Sequence, residues 1–135
     1  MKMLRIALSV ALLLAASIPF AQTKPGDLVA DIPFVFVVAG RTLPPGHYIV
    51  SNLSQTLSIH DRQNQGVLAP AHSAHRPAHE NGSKMVFHRY GDTCFLSEVW
   101  VGDNSIGKRL FPSRAERELA EHGTEREVAV MGVGK

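Results

Sequence analysis

Two β-rich runs flank Gly91-Asp92 in the segment Lys84 to Val101 (KMVFHRYGDTCFLSEVWV), and both place large apolar side chains at alternating positions. Glycine at the first of two turn positions predicts a type II′ hairpin. Such a turn fixes the register: Tyr90 faces Thr93, Arg89 faces Cys94, His88 faces Phe95 and Phe87 faces Leu96. One face then carries Met85, Phe87, Leu96 and Trp100, and the other Val86, Tyr90, Phe95 and Val99. With both faces apolar, the hairpin is expected between two layers of structure, which makes the chain a β protein.

The rest of the sequence reads the same way. Leu28 to Ala39 (LVADIPFVFVVA) is rich in valine and phenylalanine and predicts a strand buried on both sides, with Pro33 at its start or at a bulge. Gly40-Arg41 turns the chain, and Leu43-Pro44-Pro45-Gly46 makes a rigid turn into a strand over His47 to Ser51. Leu57 and Ile59 alternate with polar neighbours, Asp61 to Gly66 is a turn cluster, and Val67 to Ala69 is another short strand. Pro70 to Ser83 lacks periodicity and predicts a long exposed loop. Ser113-Arg114-Ala115-Glu116 is a capping box and Gly123 a stop, so a short surface helix is expected between them, with Leu119 its only large apolar side chain. Glu127 to Val133 predicts a last strand at an edge. The expected fold is all-β, a small β-sandwich or barrel of six to seven strands with one short C-terminal helix.

The first residues predict export. Lys2 and Arg5 precede an apolar run from Ile6 to Ala16 and a small-residue exit at Ala15 to Gln22, the order of a secretory signal peptide. The run is shorter than the roughly 20 residues a membrane-spanning helix needs. Cleavage after Ala21 suits the usual length better than cleavage after Ser17. The expected division is a signal peptide over 1–21, a polar lead-in over 22–27 and a single β-rich domain over 28–135, exported to the periplasm or extracellular space with no membrane span in the mature chain.

Removing Lys2 and Arg5 leaves the 12 acidic residues matched by 12 basic ones. A neutral chain lacks the concentrated positive charge that phosphate backbones require, so nucleic acid is not an expected partner. Cys94 is the sole cysteine, so no internal disulfide is available and packing must hold the domain.

Four phrases in order resemble a group of small exported bacterial proteins of unknown function: Ile32-Pro33-Phe34-x-Phe36-x-Val38, Leu43-Pro44-Pro45-Gly46-x-Tyr48, Phe87 to Asp92 running on to Phe95-Leu96-x-x-Val99-Trp100, and Ser113 to Leu119. The resemblance implies an envelope or secreted protein and carries over no catalytic residue. Leu43 to Val50 also resembles the turn-and-strand phrase of carboxypeptidase-regulatory-type β-sandwich modules, in which the tyrosine packs at the edge of the core.

Three groups of residues bear chemistry. His72, His75 and His79, with Glu80 beside them, are the densest candidate metal ligands, for zinc or copper. His88, Arg89, Tyr90 and Asp92 crowd one end of the hairpin and form a candidate recognition tip. Cys94 near His88 and Asp92 suggests a thiol nucleophile, but the register directs His88 away from it. No catalytic or cofactor-binding set is expected. The expected function is a non-catalytic binding or envelope-associated β domain, whose partner is an envelope or extracellular protein or glycan and which can self-associate through an edge strand. The first apolar strand and the last strand are the expected edges. A metal-binding or sequestering module using His72 to His79 is the alternative, and a thiol or serine-type enzyme comes third.

Overall fold

The structure is a computed structural model that describes residues 27–134. The signal peptide expected over 1–21 lies outside the described residues. Eleven strands and one helix are described: β1 (Leu28–Ile32), β2 (Phe36–Val38), β3 (Arg41–Leu43), β4 (Gly46–Asn52), β5 (Thr56–His60), β6 (Gly66–His75), β7 (Lys84–Tyr90), β8 (Thr93–Trp100), β9 (Ile106–Leu110), α1 (Arg114–His122), β10 (Arg126–Met131) and β11 (Val133–Gly134). The all-β class with one short late helix is as expected, but the strands exceed six or seven, and the structure departs from the expectation at three further points of detail.

First, the apolar run from Leu28 is two strands. Pro33 cannot donate to a ladder, and the chain leaves the sheet there. β1 continues between β4 and β11, while β2 pairs with β3 and meets β8 in parallel at Val37↔Phe95. The first apolar strand is therefore no edge, because both of its pieces have neighbours on each side. The turn after β2 is Ala39-Gly40, not Gly40-Arg41. Both residues have positive φ, 51° and 78°, the signature of a type I′ hairpin closed by Val38↔Arg41.

Second, the expected loop from Pro70 is ordered strand as far as His75. Pro70 is the last β6 residue paired with β5, opposite Thr56, and Ala71 is the first paired with β9, opposite Leu110. The proline sits where the strand changes neighbours. Ala71 and Ala74 are buried, but their side chains are too small to register as a periodic apolar signal.

Third, β8 carries a bulge. The hairpin register from Tyr90↔Thr93 to Phe87↔Leu96 is the expected one, and φ of 61° at Gly91 provides the turn. The next pair is Val86↔Glu98, which leaves Ser97 unpaired. One extra residue reverses the alternation beyond it. Val99 therefore joins Met85, Phe87 and Leu96 in the core, and Trp100 lies on the other face with Val86 and Ala74.

The strands form a mixed sheet in the order β10-β7-β8-β9-β6-β5-β4-β1-β11, with β2 and β3 off this path. One continuous core takes side chains from β1, β2 and β4 through β9, among them Ile32, Phe36, Leu57, Ile59, Phe87 and Leu96. Phe36 packs edge-on against Tyr48 and Phe87, with centroids 5.1 and 5.5 Å away. Tyr48 donates its hydroxyl to the Pro44 carbonyl at 2.6 Å, which ties the proline turn to the core. β10 is at one end of the path, as expected for the last strand, and β11 is at the other. Only Gly132 separates them. Its N–H donates to the Ser83 carbonyl, and a Cβ there would lie 2.9 Å from both the Leu28 side chain and the Val29 carbonyl.

Arg76, 7% exposed, joins the loops at one end of the fold. Its guanidinium donates to the carbonyls of Asn104, Gly82 and Gly102 at 3.0, 3.1 and 2.9 Å and lies 4.9 Å over the Trp100 ring. On β9, Gly107 leaves room for the same ring, which a Cβ would strike. Arg76→Ala should lower the unfolding free energy by about 2–4 kcal/mol, and Arg76→Lys should recover only part of that, because an ammonium cannot fork to three carbonyls. Ala39→Asn, which converts the turn to Asn-Gly, should raise stability by roughly 1 kcal/mol by relieving alanine from the left-handed region. Denaturant midpoints check both.

Candidate functional site

Period-two alternation directs the side chains of His88 and Tyr90 on β7 away from the core. Glu98 on β8 and Arg109 on β9 are directly opposed on the same outer surface, and His72 on β6 is opposite Arg109. The chain then returns over this surface as α1. Ser113 caps the helix, its Oγ accepting the Glu116 N–H at 3.2 Å, and Arg114 pairs with Glu118 at 3.0 Å on the outward side. Gly123 ends it in extended conformation, with φ −130°.

The helix rests on a carboxylate. Glu116 is the one residue of α1 that is buried, at 6% exposure, while Leu119 is 38% exposed. Between helix and sheet lies a pocket of about 480 Å³, lined by ionisable groups of β6 to β9, α1 and the turn after it together with Tyr90, Ser97, Leu110, Pro112 and Ala120.

Glu98 is fully engaged in this pocket. Its Oε1 accepts from Arg109 Nη2 at 2.8 Å and Nε at 3.1 Å, and its Oε2 accepts from Trp100 Nε1 at 3.0 Å. Glu125 sits 3.3 Å from His88 Nε2, and the Tyr90 hydroxyl reaches its other oxygen at 3.5 Å. Glu116 accepts no side-chain hydrogen bond among the described residues. Burial pushes its carboxyl above the usual range, nearby His88 pulls it down and Glu125 pushes it up again. Burial also raises the Tyr90 phenol, and the carboxylates Glu125 and Glu116 add to that.

The structure divides the hairpin-tip residues. His88 and Tyr90 line the pocket under α1, whereas Arg89 and Asp92 lie on the opposite side of the strand in a small cleft with Cys94, Phe34 and Val35. Arg89 donates to the Gly91 carbonyl at 2.7 Å and approaches Asp92 at 3.9 Å, so Glu98 takes Arg109 as its cross-strand partner. Cys94 is buried in the core with its thiol pushed up by burial, an effect that Arg89 partly offsets. His88 is on the other face, so its imidazole does not adjoin the sulfur.

The three histidines are separated too. His72 and His75 are three apart on one strand and project to opposite faces, and His79 lies on an exposed turn beyond it. The His72 ring packs 4.9 Å from Phe111, and its Nδ1 is 3.2 Å from the Ser73 carbonyl oxygen. Among the described residues, no group of three or more His, Cys, Asp or Glu side chains is placed to hold a metal ion. Sequence reasoning reached His72, His88 and Tyr90 but missed Glu98, Arg109, Glu116 and Glu125 as members of one site. The signal for Glu116 was present only as its place in the capping box.

No protein-family profile, curated protein or solved structure matches this chain.

The Glu116 carboxyl holds its proton to a higher pH folded than unfolded. The stabilisation this gives is complete below the unfolded value and is lost as pH rises through the folded one. Glu116→Gln removes that dependence. The variant should therefore gain thermal stability relative to wild type at neutral pH, and the gain should shrink as the pH falls into the carboxylate range. Parallel melting curves across pH measure the difference.

Proposed function

We propose that this chain is an exported, non-catalytic binding domain of the periplasm or extracellular space, framed as a β-sandwich, with the pocket beneath α1 as its ligand site. The observation that carries the reading is Glu116, a residue 6% exposed that lines a pocket large enough for a small polar group and whose carboxyl accepts no hydrogen bond among the described residues. No carboxyl oxygen here is sealed from its surroundings, so a donor on a ligand in the pocket can reach it.

The non-catalytic reading is supported by the separation of Cys94 from His88 on opposite faces of the hairpin. The sandwich reading is supported by β6, whose two halves pair with different neighbours around one core. Among the described residues no helix is long and apolar enough to cross a membrane, which accords with a domain that works beside one. The partner is an envelope or extracellular protein or glycan that offers a polar group to the pocket.

Expression of the full chain in a bacterium, followed by fractionation and amide NMR, tests the whole reading. Protein recovered from the periplasm or medium with Gln22 at its N-terminus is expected, and an envelope extract should shift the amides of His88, Tyr90, Arg109 and Glu116. Unprocessed protein retained in the cytoplasm, or shifts confined to other surfaces, would count against it.

A further inference from the structure

The charges around the pocket are unequally matched. Arg109, the guanidinium on its sheet floor, is consumed by Glu98, which the Trp100 indole also holds. Arg117 lies at the exposed rim. His88 is shared with Glu125 at 3.3 Å, and His72 is engaged by Phe111 and the Ser73 carbonyl. Glu116 remains, buried and accepting no hydrogen bond among the described residues, with Glu125 as the nearby second carboxylate. The groups closing the rest of the wall are Ser97, the ring of Tyr90 and the apolar side chains of Leu110, Pro112 and Ala120.

We propose that this pocket takes an alkylammonium group, its charged end between Glu116 and Glu125 and its methylene stem against Tyr90, Pro112 and Ala120. The inference rests on the pocket being the ligand site and specifies what enters it. An ammonium supplies three N–H donors to carboxylates that have acceptor capacity to spare. Its stem covers apolar wall that a carbohydrate amine would leave bare. An anion would instead have to displace Glu98 from Arg109, or stay with Arg117 at the solvent-exposed rim, where an ion pair contributes little. The same chemistry is carried by a free diamine and by a lysine side chain of a partner protein.

The test titrates the folded protein by amide NMR with 1,4-diaminobutane and with Nα-acetyl-lysine amide, alongside butane-1,4-diol and succinate. Shifts at Glu116, Tyr90 and Ala120 are expected with the two ammonium compounds only, and the tighter of the two identifies the source. Glu116→Gln should weaken binding at least tenfold, and Glu125→Gln, on a half-exposed side chain, should weaken it severalfold. Glu118→Gln, the same charge change on the outward side of α1, should leave it within twofold. Equal response to the diol or succinate, no response to either ammonium compound, or unchanged affinity in both Glu116→Gln and Glu125→Gln overturns the proposal. If an envelope extract still shifts these amides in that case, the pocket remains the ligand site and only the ligand class is wrong.

Discussion

The architecture depends on one strand serving two sets of neighbours. β6 is bound to β5 up to Pro70 and to β9 from Ala71, so the two groups of strands are one hydrogen-bonded object. Proline is tolerated at that junction because the backbone donor toward β5 is the Ala71 N–H, which reaches the Gln55 carbonyl at 2.9 Å. Val67, Ala69 and Ala71 face the common core along the same strand, and the small alanines leave its volume to larger side chains such as Phe36, Phe87 and Leu96. A larger residue at 69 or 71 would hold the groups apart.

Trp100 shows how a small irregularity changes the outer surface. The bulge at Ser97 sends the indole outward, where Arg76 covers it from one direction and Gly107 admits it from another. It also puts Glu98 within reach of both the indole N–H and Arg109. The helix settles over a surface whose charges are already largely arranged, and the carboxylate it brings is the one left over.

Much of this was legible in the residues, in proportion to how local the cause is. The hairpin register from Tyr90 to Phe87 follows from Gly91, and the helix start follows from Ser113, because turn and cap chemistry act within four residues. The bulge was not legible, since no feature of Ser97 distinguishes a skipped position from a paired one. Pro33 was noticed, but whether it bends a strand or parts two depends on where β8 lies. The segment from Ala71 to His75 reads as loop because its strand character comes from β9, a partner 31 to 39 residues further on. The pocket fared worst. Its members come from β6 to β9, α1 and the turn after it, and only the fold brings Glu116 to Glu98 and Glu125.

The pairing of Leu28 and Val29 with Gly134 and Val133 joins the two extremes of the described chain. A ribosome delivers residues in order, so β1 can acquire β4 early but must wait for β11 until the last strand has emerged. Closing so long a loop is slow, and the row of peptide groups on β1 that awaits β11 stays unsatisfied meanwhile. Folding chains thus carry a temporary vacancy beside β1, and Val133 and Gly134 act as its shutter.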